Sequence, residues 1–311
     1  TQYFFFKQWT ELKNYANQKG IQIIGDMPIY VAADSVEVWT KPELFQLDKE
    51  RNPLFVAGVP ADQFSVTGQL WGNPLYAWEE HKKQGYAWWI HRIEESFKIY
   101  DVLRIDHFKG FSDYWQVDGK AEVAKDGSWQ PGPGYDLFKA VKEQLGDLPI
   151  IAEDLGNIDD KARKLLADCN YPGMKILQFG FEDVSGKSLD SPHYCIPHSI
   201  VYTGTHDNDV TNGWYNGLTD QQQQYINDYT HRSEDESICQ AMIRQLFATV
   251  SNTAIATMQD ILDLPASSRM NIPSTIGGNW QWRMQQSDLT QDKKDFLAKM
   301  TTLYQRANQE K

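Results

Sequence analysis

Four apolar runs in the sequence end on acids. Val102-Leu103-Arg104-Ile105 runs into Asp106-His107, and Ile150-Ile151-Ala152 into Glu153-Asp154. Ile200-Val201-Tyr202-Thr203 runs through Gly204-Thr205 into His206-Asp207-Asn208-Asp209, and Ile23-Ile24-Gly25 into Asp26. One such acid commonly caps the helix that follows. Four of them, with Arg104 and His206 alongside, call for a chemical use. Positions i and i+2 of a strand share a face, so Arg104 points with Asp106 and keeps its carboxylate ionised, as a nucleophile must be. The residues before Glu153 are apolar, an environment that raises a carboxyl pKa and suits a general acid. Two carboxyl groups with split environments are a signature of glycoside chemistry. His206 and Asp207 would hydrogen-bond sugar hydroxyls, gaining strength as the ring flattens in the transition state.

The elements that must hold these residues read as an alternation. Strands are expected over 21–25, 100–105, 148–152, 174–179, 200–203 and 254–258. Helices are expected over 9–17, 86–99, 137–145, 159–167, 237–250 and 291–308. Strands alternating with helices predict a parallel sheet in an α/β fold, with the functional rim at the carboxyl ends of the strands. Six strands fall short of the eight of a closed barrel. The abrupt start at Thr1, with no initiator Met and the pattern of a helix interior, places the first strands upstream. Residues 31–80 are rich in Pro, Gly and aromatics and read as an inserted lid or binding excursion. The Gly- and Pro-rich stretch 118–133 reads as an irregular loop.

Composition narrows the function classes. The 311 residues carry 30 basic and 42 acidic side chains, a net charge of −12, which argues against nucleic acid and anionic membrane surfaces. No window approaches the run of about 20 apolar residues that a membrane span needs. Three cysteines without CxxC spacing fit a reducing, cytoplasmic compartment. Aromatics make up 13% of the chain, with 11 Trp. Most belong to a core, and some would suit the faces of neutral sugars. No cofactor or metal is expected. A His-x-His pair is absent, the Asp207-Asn208-Asp209 start of a calcium-type loop meets Leu218 where Glu is required, and Gly186-Lys187-Ser188 has Phe181 where a phosphate loop needs Gly. His107, His193, His198 and His231 read as ordinary structural or surface residues.

The segments Arg104-Ile105-Asp106-His107-Phe108, Ala152-Glu153-Asp154-Leu155-Gly156 and Gly204-Thr205-His206-Asp207-Asn208 resemble signature segments of the α-amylase clan. Together with Gly25-Asp26-Met27-Pro28-Ile29-Tyr30-Val31, Trp71-Gly72-Asn73-Pro74, and Arg269-Met270-Asn271-Ile272-Pro273 followed by Gly278-Asn279-Trp280, they resemble the 4-α-glucanotransferase (amylomaltase) family, glycoside hydrolase family 77. That resemblance spans essentially the whole chain. It implies a TIM (β/α)8-barrel, of which residues 1–311 form the carboxyl-terminal part of the catalytic domain with about six of the eight strands. It implies that Asp106 is the nucleophile, Glu153 the acid and base, and Asp207 the transition-state stabiliser. Substrate contacts would come from Arg104, His206, Asp26, Tyr30, Trp71, Asn208 and Asn271. The substrates would be maltodextrins and glucose, with transfer of a 1,4-α-glucan segment to a new 4-hydroxyl. A hydrolytic α-glucosidase or amylase and a non-catalytic α-glucan-binding protein are the competing readings. Transfer differs from hydrolysis in holding an acceptor sugar better than water, a task for the 57–78 segment.

Overall fold

The computed structural model of the chain describes residues 1–61, 67–156 and 158–307. Residues 62–66, within the expected excursion, and residue 308 at the end of the last expected helix lie outside it. Ten strands are present among the described residues: β1 (Ile24–Met27), β2 (Phe55–Val59), β3 (Gln69–Pro74), β4 (Val102–Ile105), β5 (Asp113–Asp118), β6 (Ser128–Pro131), β7 (Ile150–Ala152), β8 (Gly173–Ile176), β9 (Ser199–Tyr202) and β10 (Thr253–Ile255). The chain divides into two compact units, Thr1–Gly173 and Met174–Lys311.

In the first unit β1, β4 and β7 form a parallel sheet in that order. The helices Gln2–Gln18, Ala87–Ile99 and Tyr135–Leu145 each precede one of these strands, the βα alternation read from the sequence. Parallel strands covered on both faces should be continuously apolar. Leu103, Ile105, Ile150, Ile151 and Ala152 are all buried. Trp89, Ile93, Phe108, Phe111, Leu137 and Phe138 join Leu103, Ile105, Ile150 and Ala152 in one core. Gly25 in β1 is required by packing: a Cβ there would meet the Tyr100 ring at 2.0 Å.

One expectation is overturned in this unit, that of an irregular loop over 118–133. The 31–80 excursion is built on an antiparallel ladder, in which Val56 faces Pro74 and Gly58 faces Leu70. The stretch 118–133, expected as an irregular loop, supplies β6, and the four strands run in the order β3-β2-β5-β6. Its glycines mark close approach rather than looseness. A Cβ on Gly127 would stand 2.4 Å from the Trp115 indole nitrogen, and one on Gly119 would stand 2.1 Å from the Pro53 carbonyl.

The second unit orders its strands β10-β9-β8, with β9 and β10 parallel. The strand expected over 174–179 stops at Ile176, and Leu177–Glu182 is helical. Leu177 and Phe181 are four apart and both fully buried, so this apolar run follows the helical period. Three more helices were not foreseen, Met258–Ile261, which begins at the last residue of the strand expected over 254–258 (that strand stops at Ile255), Thr211–Asn216 and Asp220–Thr230. Asp220–Thr230 starts at a capping box between Thr219 and Gln222. Among the described residues no helix is long and apolar enough to cross a membrane.

Candidate active site

The first unit gathers three of the sequence-predicted acids around one arginine. In the parallel register of β1 and β4, Asp26 lies beside Arg104. The Arg104 guanidinium Nη1 stands 2.6 Å from Asp26 Oδ1 and 3.0 Å from Asp106 Oδ1. Arg104 is buried, whereas both carboxylates are two-fifths exposed. Burial works against the guanidinium charge, but the fields of Asp26, Asp106 and Glu153 outweigh it and leave Arg104 more firmly protonated than a free arginine. The i, i+2 argument for Arg104 and Asp106 thus holds. The short contact to Asp26 comes from strand pairing, which single-strand periodicity cannot show.

Glu153 follows β7 and is buried. Its Oε2 accepts the His107 N–H at 2.7 Å and its Oε1 accepts the Leu155 N–H at 2.7 Å. Burial is the main force on its carboxyl and raises the pKa; the neighbouring Asp106 charge raises it further. Arg104 and the two N–H groups pull it back, and it settles at about 7. The acid is poised near neutrality. The main chain ties the two acids together past the strand ends. The Glu153 N–H donates to Ile105 O, the Phe108 N–H to Glu153 O, and the Asp106 N–H to Met27 O, each at 3.0 Å.

Trp71 is 36% exposed, and it stands beside Gly72 at φ 77°. Its ring meets the His107 imidazole edge-on at 4.9 Å and 90°. The Asn73 amide donates to Val31 O at 3.0 Å and ties β3 to the segment after β1. Tyr30 is buried, stacked on Tyr76 at 6.0 Å and beneath Trp71 at 6.2 Å. It is placed to support Trp71. His107, read from sequence as structural, gives its N–H to the acid. Only the positive φ of 48° marks it, and sequence carries no sign of that.

The second unit builds a separate cluster after β9. Asn271 donates from Nδ2 to Asp207 Oδ1 at 2.6 Å, and His206 Nε2 stands 3.5 Å from Asp207 Oδ2. Arg269, which sequence reasoning did not assign a role, donates to Asp207 O at 2.6 Å and to Asn271 O at 2.9 Å. It clamps the two segments main chain to main chain. The Trp280 ring lies 5.1 Å from that of His206. The Asn208 amide oxygen accepts from the Thr205 N–H at 2.8 Å and from its hydroxyl at 2.9 Å, shaping the turn that carries Asp207.

An ion-paired carboxylate thus stands beside a buried carboxyl of raised pKa. Comparison with known proteins is more specific. The family model described as 4-alpha-glucanotransferase, glycoside hydrolase family 77, matches residues 1–290. A 4-alpha-glucanotransferase of Streptococcus pneumoniae is 53% identical over 310 residues, 99% of this chain and 61% of that protein. One of Clostridium butyricum is 45% identical over 98% of this chain and 63% of its own length. The solved amylomaltase of Streptococcus agalactiae, in complex with acarbose, is 60% identical, with a TM-score of 0.97 over 99% of this chain and 62% of that one. The chain belongs to the 4-α-glucanotransferase family, glycoside hydrolase family 77. It spans about three-fifths of the length of these relatives.

Proposed function

We propose that the chain carries the catalytic residues of a 4-α-glucanotransferase. In this reading it moves a segment of a 1,4-α-glucan to the 4-hydroxyl of glucose or of another glucan by a retaining double displacement. The observation that carries it is the split of the carboxyl pair: Asp106 ion-paired with Arg104, and Glu153 buried and raised to about 7.

Asp106, as the anion, attacks the anomeric carbon while the Glu153 proton goes to the departing glycosidic oxygen, and a glucosyl ester forms on Asp106. Glu153, now a carboxylate, takes the proton of the acceptor 4-hydroxyl, whose oxygen attacks the anomeric carbon and releases Asp106. Asp207, supported by Asn271 and His206, is assigned stabilisation of the oxocarbenium-like transition state. Trp71 offers an aromatic face to the acceptor sugar, and Asp26, Tyr30, Arg104 and Asn208 complete the proposed substrate-binding set. No metal or cofactor enters the scheme.

The two three-stranded sheets are proposed to supply six strands of a (β/α)8-barrel, with residues 31–80 as its inserted excursion. The proposed setting is the cytoplasm, with maltodextrins and glucose as substrates. In the test, maltotriose incubated with the full-length enzyme yields glucose together with longer maltodextrins and little net gain in reducing ends. Asp106→Asn lowers that transfer by several powers of ten with circular dichroism unchanged. A steady rise in reducing ends without longer products would make the enzyme a hydrolase, and full activity in the Asp106→Asn variant would remove Asp106 as nucleophile.

A further inference from the structure

Between the nucleophile and the acid, the chain makes a turn whose geometry is unusual for its residue. His107 sits at φ 48°, ψ 50°, the left-handed region that a residue with a Cβ rarely occupies. Two successive N–H groups converge there on one residue: that of His107 on Glu153 Oε2 at 2.7 Å, and that of Phe108 on Glu153 O at 3.0 Å. Extended backbone sends successive N–H groups to opposite sides, so the left-handed step is what makes the convergence possible.

The ring shows what holds that step. The His107 Nε2 is buried with no hydrogen-bond partner among the described residues. The ring is wedged edge-on against Trp71 at 4.9 Å. Gly110 also lies close to the ring, where a Cβ would stand 3.0 Å from His107 Cδ2 and 2.7 Å from Ile29 Cδ1. Burial keeps the imidazole neutral, with its pKa lowered to about 4, so it adds no charge at the site near neutral pH. An uncharged side chain kept at the cost of a lost hydrogen bond and a strained main chain is there for its shape.

We propose that His107 is a positioning residue for the acid: its ring, packed against Trp71 and close to Gly110, locks the left-handed peptide whose N–H holds Glu153 Oε2. The Trp71 face and the hydrogen bonding of the acid are thereby one mechanical unit, and displacement of Trp71 reaches Glu153 through His107. This deepens the reading of Glu153 as the acid and rests on it. The charged groups that face Glu153 are Arg104 of β4 and Asp106 just past its end, with Asp26 of β1 acting through Arg104. None of them is changed by substitution at 107 or 71.

The experiment follows the Glu153 carboxyl by NMR in full-length enzyme labelled with 13C at glutamate carboxyls, through a pH titration of wild type, His107→Val, His107→Asn and Trp71→Ala. A backbone N–H stabilises the carboxylate, and its loss raises the midpoint by on the order of one pH unit. His107→Val, β-branched and averse to positive φ, moves the midpoint up by that amount. His107→Asn, which tolerates the left-handed region but has no ring to seat against Trp71, moves it up by a smaller step. Trp71→Ala moves it in the same direction as His107→Val by a smaller step. A His107→Val or a His107→Asn midpoint equal to wild type overturns the proposal. If His107→Val does not fold, an unmoved Trp71→Ala midpoint overturns it alone. The titration needs no turnover, so its failure is distinct from failure of the transferase reading, which the maltotriose assay reports.

Discussion

Replacing Glu153 by Gln should change how stability depends on pH, in a direction set by the raised carboxyl pKa. In the folded chain that group titrates at about 7, against an ordinary value near 4.5. Between those values the folded state holds a proton that the unfolded state has released. Stability from this group is therefore fully present below pH 4.5 and is lost as pH rises through 7. A difference of that size corresponds to about 3 kcal/mol in all, of which roughly 2.5 kcal/mol falls between pH 5 and pH 8. The Glu153→Gln variant carries no titrating group at this position and does not show this loss. It does lose one good contact, because the amide nitrogen cannot accept from either of the two N–H groups that grip the carboxylate, a pH-independent cost of about 1–3 kcal/mol. Subtracting the two pH profiles removes that constant. The assay is urea unfolding at pH 5, 6, 7 and 8, with the free energy of each protein extrapolated to water. Wild type should lose about 2–3 kcal/mol relative to Glu153→Gln across the range, mostly between pH 5 and 7. The same ionisation predicts that kcat/KM for wild type falls on the alkaline side with an apparent pKa near 7, since a general acid must begin protonated. Parallel stability profiles, or a wild type that gains stability relative to Glu153→Gln as pH rises, would refute the claim that burial holds Glu153 protonated.

Two further outcomes follow from particular contacts. Gly25→Ala drives a methyl into the Tyr100 ring and should cost about 1–3 kcal/mol or more in thermal or denaturant unfolding, as overpacked cores do; a change below about 0.5 kcal/mol, the usual range of a surface substitution, would mean that Tyr100 yields freely. Asn271→Ala removes the 2.6 Å donor to Asp207 and should lower kcat for maltotriose transfer by about tenfold or more, as loss of roughly 1.4 kcal/mol of hydrogen bonding would. A raised KM with kcat unchanged would show that Asp207 acts in ground-state binding instead.

Much of this architecture was legible because the signals are local. Apolar runs such as Ile150–Ala152 can only be buried strands or helices, and their length with flanking Gly and Pro decides for strand. The i, i+2 rule placed Arg104 with Asp106, and apolar surroundings foretold the direction of the Glu153 shift. What escaped depends on partners distant in the chain. Residues 118–133 look like a loop because of their glycines. Yet Gly119 and Gly127 are there so that the Pro53 carbonyl and the Trp115 ring can come close, and nothing in the segment itself names those neighbours. Likewise 174–179 looks like a strand until Leu177 and Phe181 find a common buried face. Arg269 was passed over because its work is done on carbonyl oxygens, and backbone acceptors leave no trace in a sequence.

The arrangement around Arg104 shows why the site needs three acids where two do the proposed chemistry. A guanidinium paired with the nucleophile alone would hold it tightly and oppose its attack. Here Asp26 takes the shorter contact, at 2.6 Å against 3.0 Å for Asp106. The cation is anchored through β1, and Asp106 is left two-fifths exposed to solvent. If Asp106 gives up its charge to an ester, as proposed, Arg104 still has Asp26 as a carboxylate partner and is not stranded in a buried position, which would be costly. The negative charge lost from Asp106 at that moment also ceases to raise the Glu153 pKa, since Asp106 is the second force acting on that carboxyl. Ester formation therefore favours the carboxylate form of Glu153, which is the form the second displacement requires of it as base.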